Sequence, residues 1–531
     1  MLAEPDRRPL KGRKGRLLRT IGSKRSLLHY AGVALLIGTL TTCTTTHEPQ
    51  HPAPSPVADA HVLDRFYEQK LSWGDCAPYA TDSQSSEAFR ATGIECARLT
   101  VPLDYSRPHG DTISVGVLRY KALDPVNRIG SLVMDPGGPG ESGMEAAARL
   151  VNTVSSDAIG LRFDLVGFDP RGIGASEPRI RCLTDAEWDS ERASGDFGDF
   201  AAKCAERTDH GTEMLANVGT RDVVKDLDVL RVVIGDEKLS YLGYSYGTQI
   251  GYRYAEAFPR NVRALLLDGA VDPTESEPDS LIAQGQGFNR AFALFAKECA
   301  RHTGCALGSD PARATGVFEN LVRPLKTVPA ATGDRRKLSF DDAITAVVEA
   351  MYSEQSWPVL NTALGLLGSG DGSVLLRLAD RYYERGPDGH YSSLQDGYYA
   401  VRCVDNPRAT DPAAIDAARR RANDMAPFLG DGRPDRAELD ICASWPVPGT
   451  SHPHRPFVPG LAPPLVISGT DDPVTSHQAG VNLASALGGG LLTFDGAQHT
   501  AFLHGNQCVD IAALAYLVDG TMPAPGTHCA P

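Results

Sequence analysis

A serine hydroxyl is a weak nucleophile at neutral pH, and it needs a histidine to take its proton and a carboxylate to fix that histidine. This chain holds all three in an informative arrangement. Ser245 sits in Gly243-Tyr244-Ser245-Tyr246-Gly247, a GxSxG pattern between the apolar run Leu239 to Leu242 and a helix-like segment. That context predicts a nucleophile elbow, in which a strand turns into a helix so sharply that side chains two residues either side of the serine would clash. With 53 glycines in the chain the pattern alone decides little, so its partners carry the argument. Asp472 follows the apolar run Leu465 to Ser468 within GTDDPVT, and His499 follows Leu491 to Phe494 within DGAQHTAF. Both fall in loops at the C-terminal ends of predicted parallel strands, where open sheets gather ligands. The order Ser, Asp, His is the one expected of an elbow serine. Asp471 is the rival acid, Asp268 reads as a loop carboxylate after the next strand, and His477 and His504 are weaker candidates for the base.

Acyl transfer also needs backbone N–H groups aimed at a developing oxyanion. Residues 135 to 140, DPGGPG, follow another apolar strand: the glycines let bare backbone approach a substrate, and the prolines stiffen the loop. The donors are assigned to the backbone of Gly138 and of Tyr246, the residue after the nucleophile. Glu141, next in line, is a candidate for holding a substrate's free ammonium group, although a glutamate there equally suits a helix N-terminus. Glu354 and Asp405 are eligible for the same task. No metal or organic cofactor is required.

These residues need a scaffold, and the chain supplies a pattern for one. Apolar runs at Ile113 to Tyr120, Ser131 to Met134, Phe163 to Phe168, Leu239 to Leu242 and Val262 to Leu267 alternate with helical periodicity, which predicts a largely parallel sheet flanked by helices. Val223, Leu227, Leu230 and Ile234 recur at helical spacing after Thr220, a plausible cap. After Asp272 and Pro273 the strand pattern stops, to return at Leu465. The reading is an α/β core in two parts, 61–272 and 459–531, with a mainly helical cap inserted at 273–458.

Before the core, nine basic residues precede the apolar run Leu27 to Leu40, which reads as an export signal over 1–43. The run is short for a membrane span, which asks for about 20 apolar residues. Leu40-Thr41-Thr42-Cys43 resembles a lipoprotein box, so Cys43 is a candidate for lipidation and the membrane for a lipid-anchored partner; residues 44–60 read as a tether. The alternative is an ordinary signal peptide or an uncleaved anchor with an incidental cysteine. Net charge is −14 with the basic leader included, which excludes nucleic acid as a partner. Of eleven cysteines, the ten besides Cys43 fall in sequence-neighbouring couples: Cys76 and Cys96, Cys182 and Cys204, Cys299 and Cys305, Cys403 and Cys442, Cys508 and Cys529. An exported chain with an even set and no CxxC points to disulfides, zinc being the rival, and nearest-neighbour pairing is the simplest scheme.

From residue 72 to the end, the chain resembles the secreted tripeptidyl aminopeptidases and cell-envelope serine proteases of actinobacteria, in the proline iminopeptidase group of α/β-hydrolases. The resemblance rests on VPLDY (101–105), DPGGPGESG (135–143), FDPRGIGAS (168–176), GYSYGT (243–248), CASWP (442–446), DDPVT (471–475) and QHTAF (498–502). It implies an α/β-hydrolase fold with a helical cap and a C-terminal segment characteristic of these peptidases. It carries over Ser245, Asp472 and His499 as a triad, Thr475 as a supporting residue, and Asp169 and Arg171 as buttresses of the core. One departure stands out: the family commonly reads NPGGPGGSG, and this chain has Asp135 and Glu141. The expected activity is that of an exported serine peptidase, secreted or held in the cell envelope, releasing residues or short peptides from peptide N-termini, with the cap restricting access to chain ends. A carboxylesterase or lipase with the same triad is the alternative, and a non-catalytic surface lipoprotein a more distant one. Oligomeric state is not legible.

Overall fold

The computed structural model describes residues 62–430 and 440–531. The export signal, Cys43 and the tether lie outside the described residues. Nine strands form one sheet in the order β1-β2-β4-β3-β5-β6-β7-β8-β9. They are β1 (Ile94–Pro102), β2 (Thr112–Tyr120), β3 (Gly130–Asp135), β4 (Phe163–Phe168), β5 (Leu239–Tyr244), β6 (Val262–Asp268), β7 (Leu465–Gly469), β8 (Gly490–Phe494) and β9 (His528–Cys529). β2 pairs antiparallel with β1 and β4, and every other neighbour is parallel. Each run read as a strand in the sequence is one here. β1 and β9 are additions.

The central strands are buried on both faces, as parallel strands covered by helices must be. Side chains alternate between two cores: Val133, Tyr241, Leu265, Leu267 and Val466 enter one, while Leu132, Met134, Leu242, Leu266 and Ile467 enter the other. The helix Thr220–Val233 buries Val223, Leu227 and Leu230 as its periodicity predicts. Its cap differs from the expectation: the N-cap is Gly219, and Thr220 is the first helical residue, its side chain committed to Asp405 instead. FDPRGIGAS is a brace. Asp169 accepts from Ser142 Oγ at 2.6 Å and the Ala175 N–H at 2.7 Å. Arg171, fully buried, grips Asp226 through two bonds of 2.7 Å and donates to the carbonyls of Pro102, Leu103 and Asn217.

Among the described residues, no strand of the sheet lies between Asp268 and Leu465. Helices fill that interval, and many pack around an aromatic cluster of Phe288, Phe292, Phe295, Phe318, Trp357 and Phe428, with Phe292 and Phe428 stacked at 4.5 Å. The helix Leu394–Asp405 behaves differently. It sends Ala400, Val401 and Val404 into the core beneath the sheet, so part of the insertion is structurally core.

Ten cysteines form five disulfides, Cys76–Cys96, Cys182–Cys204, Cys299–Cys305, Cys403–Cys442 and Cys508–Cys529. They are the sequence-neighbouring couples, and they suit an oxidising, extracytoplasmic compartment. No helix among the described residues is long and apolar enough to cross a membrane.

Candidate active site

β5 ends on Tyr244 and the helix Gly247–Ala257 begins three residues later, leaving Ser245 at the apex with φ +52°. That left-handed conformation costs a non-glycine residue roughly 1–3 kcal/mol and persists only where the surroundings impose it. Here the Ser245 N–H donates to the Asp268 carbonyl at 2.9 Å, and the Thr248 hydroxyl donates to the Ser245 carbonyl at 2.7 Å. The flanking glycines are steric necessities: a Cβ on Gly243 would lie 2.5 Å from the Gly247 carbonyl oxygen, and one on Gly247 2.6 Å from that of Asp135.

Asp472, at the exit of β7, is buried and accepts from the N–H groups of Val474 at 2.8 Å and Thr475 at 2.9 Å, and from the Thr475 hydroxyl at 2.9 Å. The turn that DPVT encodes thus aims the carboxylate and shares its charge. His499, after β8, places Nδ1 3.0 Å from both oxygens of Asp472. With Nδ1–H donating there, the lone pair on Nε2 is the free base, and Nε2 is buried with no hydrogen-bond partner. Burial opposes the charged ring, but Asp472 beside it outweighs that and the histidine's pKa is raised.

The rival groups have other work. Asp268 Oδ2 accepts the N–H groups of Ala501 and Phe502, each at 2.8 Å, and so anchors the loop that carries His499; burial pushes its pKa up to about 7. Asp471 takes a 3.5 Å approach from the Thr470 hydroxyl, while the carboxylate bonded to His499 is that of Asp472. His477 lies against Thr493 and His504 against the Tyr244 ring, with burial lowering the pKa of both.

The 135–140 loop lies on the elbow. A Cβ on Gly137 would come within 2.6 Å of the Tyr244 carbonyl oxygen and 2.9 Å of the Tyr246 nitrogen. Gly138, Ser245, Tyr246 and Thr475 line one cleft of about 440 Å³, together with Leu281 and Arg402 from the helical insertion. Tyr246 is held from behind: its hydroxyl is 3.0 Å from Asp405, a buried carboxylate that also takes the Thr220 N–H at 2.8 Å, the Thr220 hydroxyl and Gln249 at 3.1 Å. Asp405 is thereby fully occupied and is not available to a substrate amine. Glu354 is exposed and makes a 3.4 Å contact to the Ala497 N–H.

Glu141 is half-buried; its N–H donates to the Gly137 carbonyl at 3.4 Å, and its side chain makes no hydrogen bond among the described residues. Burial and the neighbouring Asp135 push its pKa up to about 7, while His499 acts in the opposite sense. Glu349, ion-paired with Arg381, and Glu384, which accepts from the Ser392 hydroxyl, are close enough for their charges to be felt here, and burial raises both, Glu384 to about 7. Tyr352 packs on the base: its carbonyl accepts the His499 backbone N–H at 2.9 Å, and its ring meets the imidazole edge-on at 5.5 Å. Sequence reasoning passed over Glu349, Glu384 and Tyr352, since no spacing connects them to the 141 loop. Among the described residues no group of three or more His, Cys, Asp or Glu is arranged to hold a metal ion.

Residues 130–505 match the model of the alpha/beta hydrolase fold family. The chain belongs to that family. The hydrolase is 43% identical over 483 residues to the serine protease Hip1 of Mycobacterium tuberculosis, covering 87% of this chain and 91% of that protein. It is 44% identical over 476 residues to carboxylesterase B of the same organism, with 87% and 90% covered, and 28% identical over 496 residues to the tripeptidyl aminopeptidase of Streptomyces lividans, with 87% of each covered. The hydrolase is a serine hydrolase.

Proposed function

We propose that the hydrolase is an exported aminopeptidase-type serine peptidase. Ser245 is the nucleophile, His499 the base, Asp472 the carboxylate that orients His499 and stabilises its protonated form, and Thr475 the residue that fixes Asp472. The observation that carries the catalytic assignment is His499, gripped through Nδ1 by Asp472 and with Nε2 free, at the strand ends that also present Ser245. In the reaction, Nε2 takes the Ser245 proton as Oγ attacks a peptide carbonyl. The N–H groups of Gly138 and Tyr246 receive the oxyanion, and His499 returns the proton to the departing amine. Water then repeats the cycle on the acyl-enzyme.

The peptide reading is supported by Glu141, whose side chain is free of hydrogen bonds and close enough to His499 for their charges to act on each other, and by similarity to proteins named as a serine protease and a tripeptidyl aminopeptidase. The esterase reading keeps one specific support, the similarity to carboxylesterase B. Digestion of matched peptides with free and acetylated N-termini separates them: acetylation is expected to lower kcat/KM at least tenfold, and Glu141→Gln to raise KM for the free peptide while sparing an ester that has no amine. Since Glu141 must be ionised to hold the ammonium and its pKa is pushed up to about 7, KM for free peptides should rise as pH falls below 7. Equal cleavage of free and blocked peptides would remove the aminopeptidase assignment. Lipidation of Cys43 is proposed on sequence alone, and a diacylglyceryl mass on the N-terminal peptide is its test.

A further inference from the structure

Asp135 closes β3 at the root of the loop that carries Gly138, and it is 1% exposed. One carboxyl oxygen, Oδ1, accepts the Gly137 N–H at 3.0 Å. The other, Oδ2, is buried and has no hydrogen-bond partner. The titratable groups that act on this carboxyl, or on which it acts, come from every neighbouring element: Asp169 beyond β4, Glu141 on its own loop, Tyr241 from β5 and Tyr246 from the elbow. None is a cation. The start of the helix Gly247–Ala257 lies alongside, with the Cβ position of Gly247 3.0 Å from Oδ1, and a helix N-terminus favours negative charge. That preference is small beside the cost of burying an ionised carboxylate with a single donor and no counter-charge.

We propose that Asp135 works as a neutral carboxylic acid, a positioning residue whose protonated state the oxyanion loop requires. Protonated on Oδ2, the group leaves one buried O–H without an acceptor, a smaller cost than a buried charge, and it leaves the Gly137–Gly138 backbone free of a competing charge. Ionised, it would set a full negative charge directly behind N–H groups that must receive another, opposing oxyanion formation and drawing the Gly137 N–H toward itself. Asp135→Asn is the near-isosteric neutral replacement: its carbonyl keeps the bond from Gly137, and its amide nitrogen takes the place of the protonated oxygen. The inference rests on the oxyanion-hole reading above, but not on the peptide reading.

The test is the pH dependence of kcat/KM on a p-nitrophenyl ester, which lacks an amine that would titrate in the same range. Burial pushes the pKa of Asp135 up to about 8, so the wild-type enzyme should lose roughly 30-fold between pH 6.5 and 9.5, falling tenfold per unit at the end. Asp135→Asn should lose less than threefold over the same interval. A second readout needs no activity. Because the folded state holds this proton between the ordinary carboxylate range and about 8, the wild type loses stability relative to Asp135→Asn as pH rises from 5 to 8, and the Tm difference should widen there and then level off. A wild-type profile flat to pH 9.5, or an alkaline limb that survives in Asp135→Asn, overturns the inference; so does a Tm difference that does not change with pH. Loss of all ester hydrolysis in Ser245→Ala, with Asp135→Asn behaving as the wild type does, would retain the triad and remove only the role of Asp135.

Discussion

Ser245→Ala is expected to lower both ester and peptide hydrolysis by roughly 10⁴- to 10⁶-fold while leaving the fold intact. The stability half of that expectation follows from the bonds at the elbow. The contacts that hold residue 245 in its left-handed conformation run through its own N–H and carbonyl, to the Asp268 carbonyl and from Thr248, and an alanine keeps both. What disappears is the hydroxyl alone. Steady-state kinetics with a thermal melt on the same sample checks both halves. A variant with a wild-type melt and more than one hundredth of wild-type kcat would mean that the nucleophile lies elsewhere.

Asp472→Asn is expected to cost roughly 10⁴-fold in kcat, the scale on which loss of the orienting carboxylate acts when geometry is otherwise kept. Four donors converge on this carboxylate: two N–H groups, the Thr475 hydroxyl and His499 Nδ1. An asparagine can accept from some of them but presents an NH₂ to the others, so His499 loses the partner that fixes its tautomer. The pH consequence has a definite sign. Asp472 is what raises the pKa of His499 against burial, so removing its charge leaves burial to lower that pKa, and the acid limb of any residual activity should move to lower pH. Asp268→Asn provides the contrast. Its carbonyl oxygen can still accept from Ala501 and Phe502, and a loss of tenfold or less is expected. If Asp268→Asn were the more damaging change, the acid would be Asp268.

Much of this site is legible in the sequence because its parts are local. GYSYG, GTDDPVT and DGAQHTAF each place a residue at a strand end, and strand burial on both faces makes those strands readable as apolar runs. β1 escapes because Arg98, Thr100 and Pro102 interrupt the pattern of a strand that pairs along its length with β2 alone, its other edge carrying a single bridge from Cys96 to Gly74. β9 is two residues long, paired to β8 and tied down by the Cys508–Cys529 disulfide. The other misreadings share one cause, long range. Thr220 looks like a helix cap by its neighbours, but its partner Asp405 is 185 residues away. Asp405 looks like a free acid of the insertion until the same contact shows it occupied. Glu349, in a helix, and Glu384, in the turn after another, come near Glu141 from more than 200 residues away, and the orphaned oxygen of Asp135 exists only once the sheet has closed over it.

The central claim is that Ser245 is the residue acylated in turnover. The most direct measurement is peptide mapping by mass spectrometry after treating the native enzyme with a fluorophosphonate, which captures an activated serine as a stable adduct. One adduct per chain is predicted, on Ser245, abolished in Ser245→Ala and much slowed in Asp472→Asn. Stoichiometric labelling of any other serine, with Ser245 unmodified, would contradict the account.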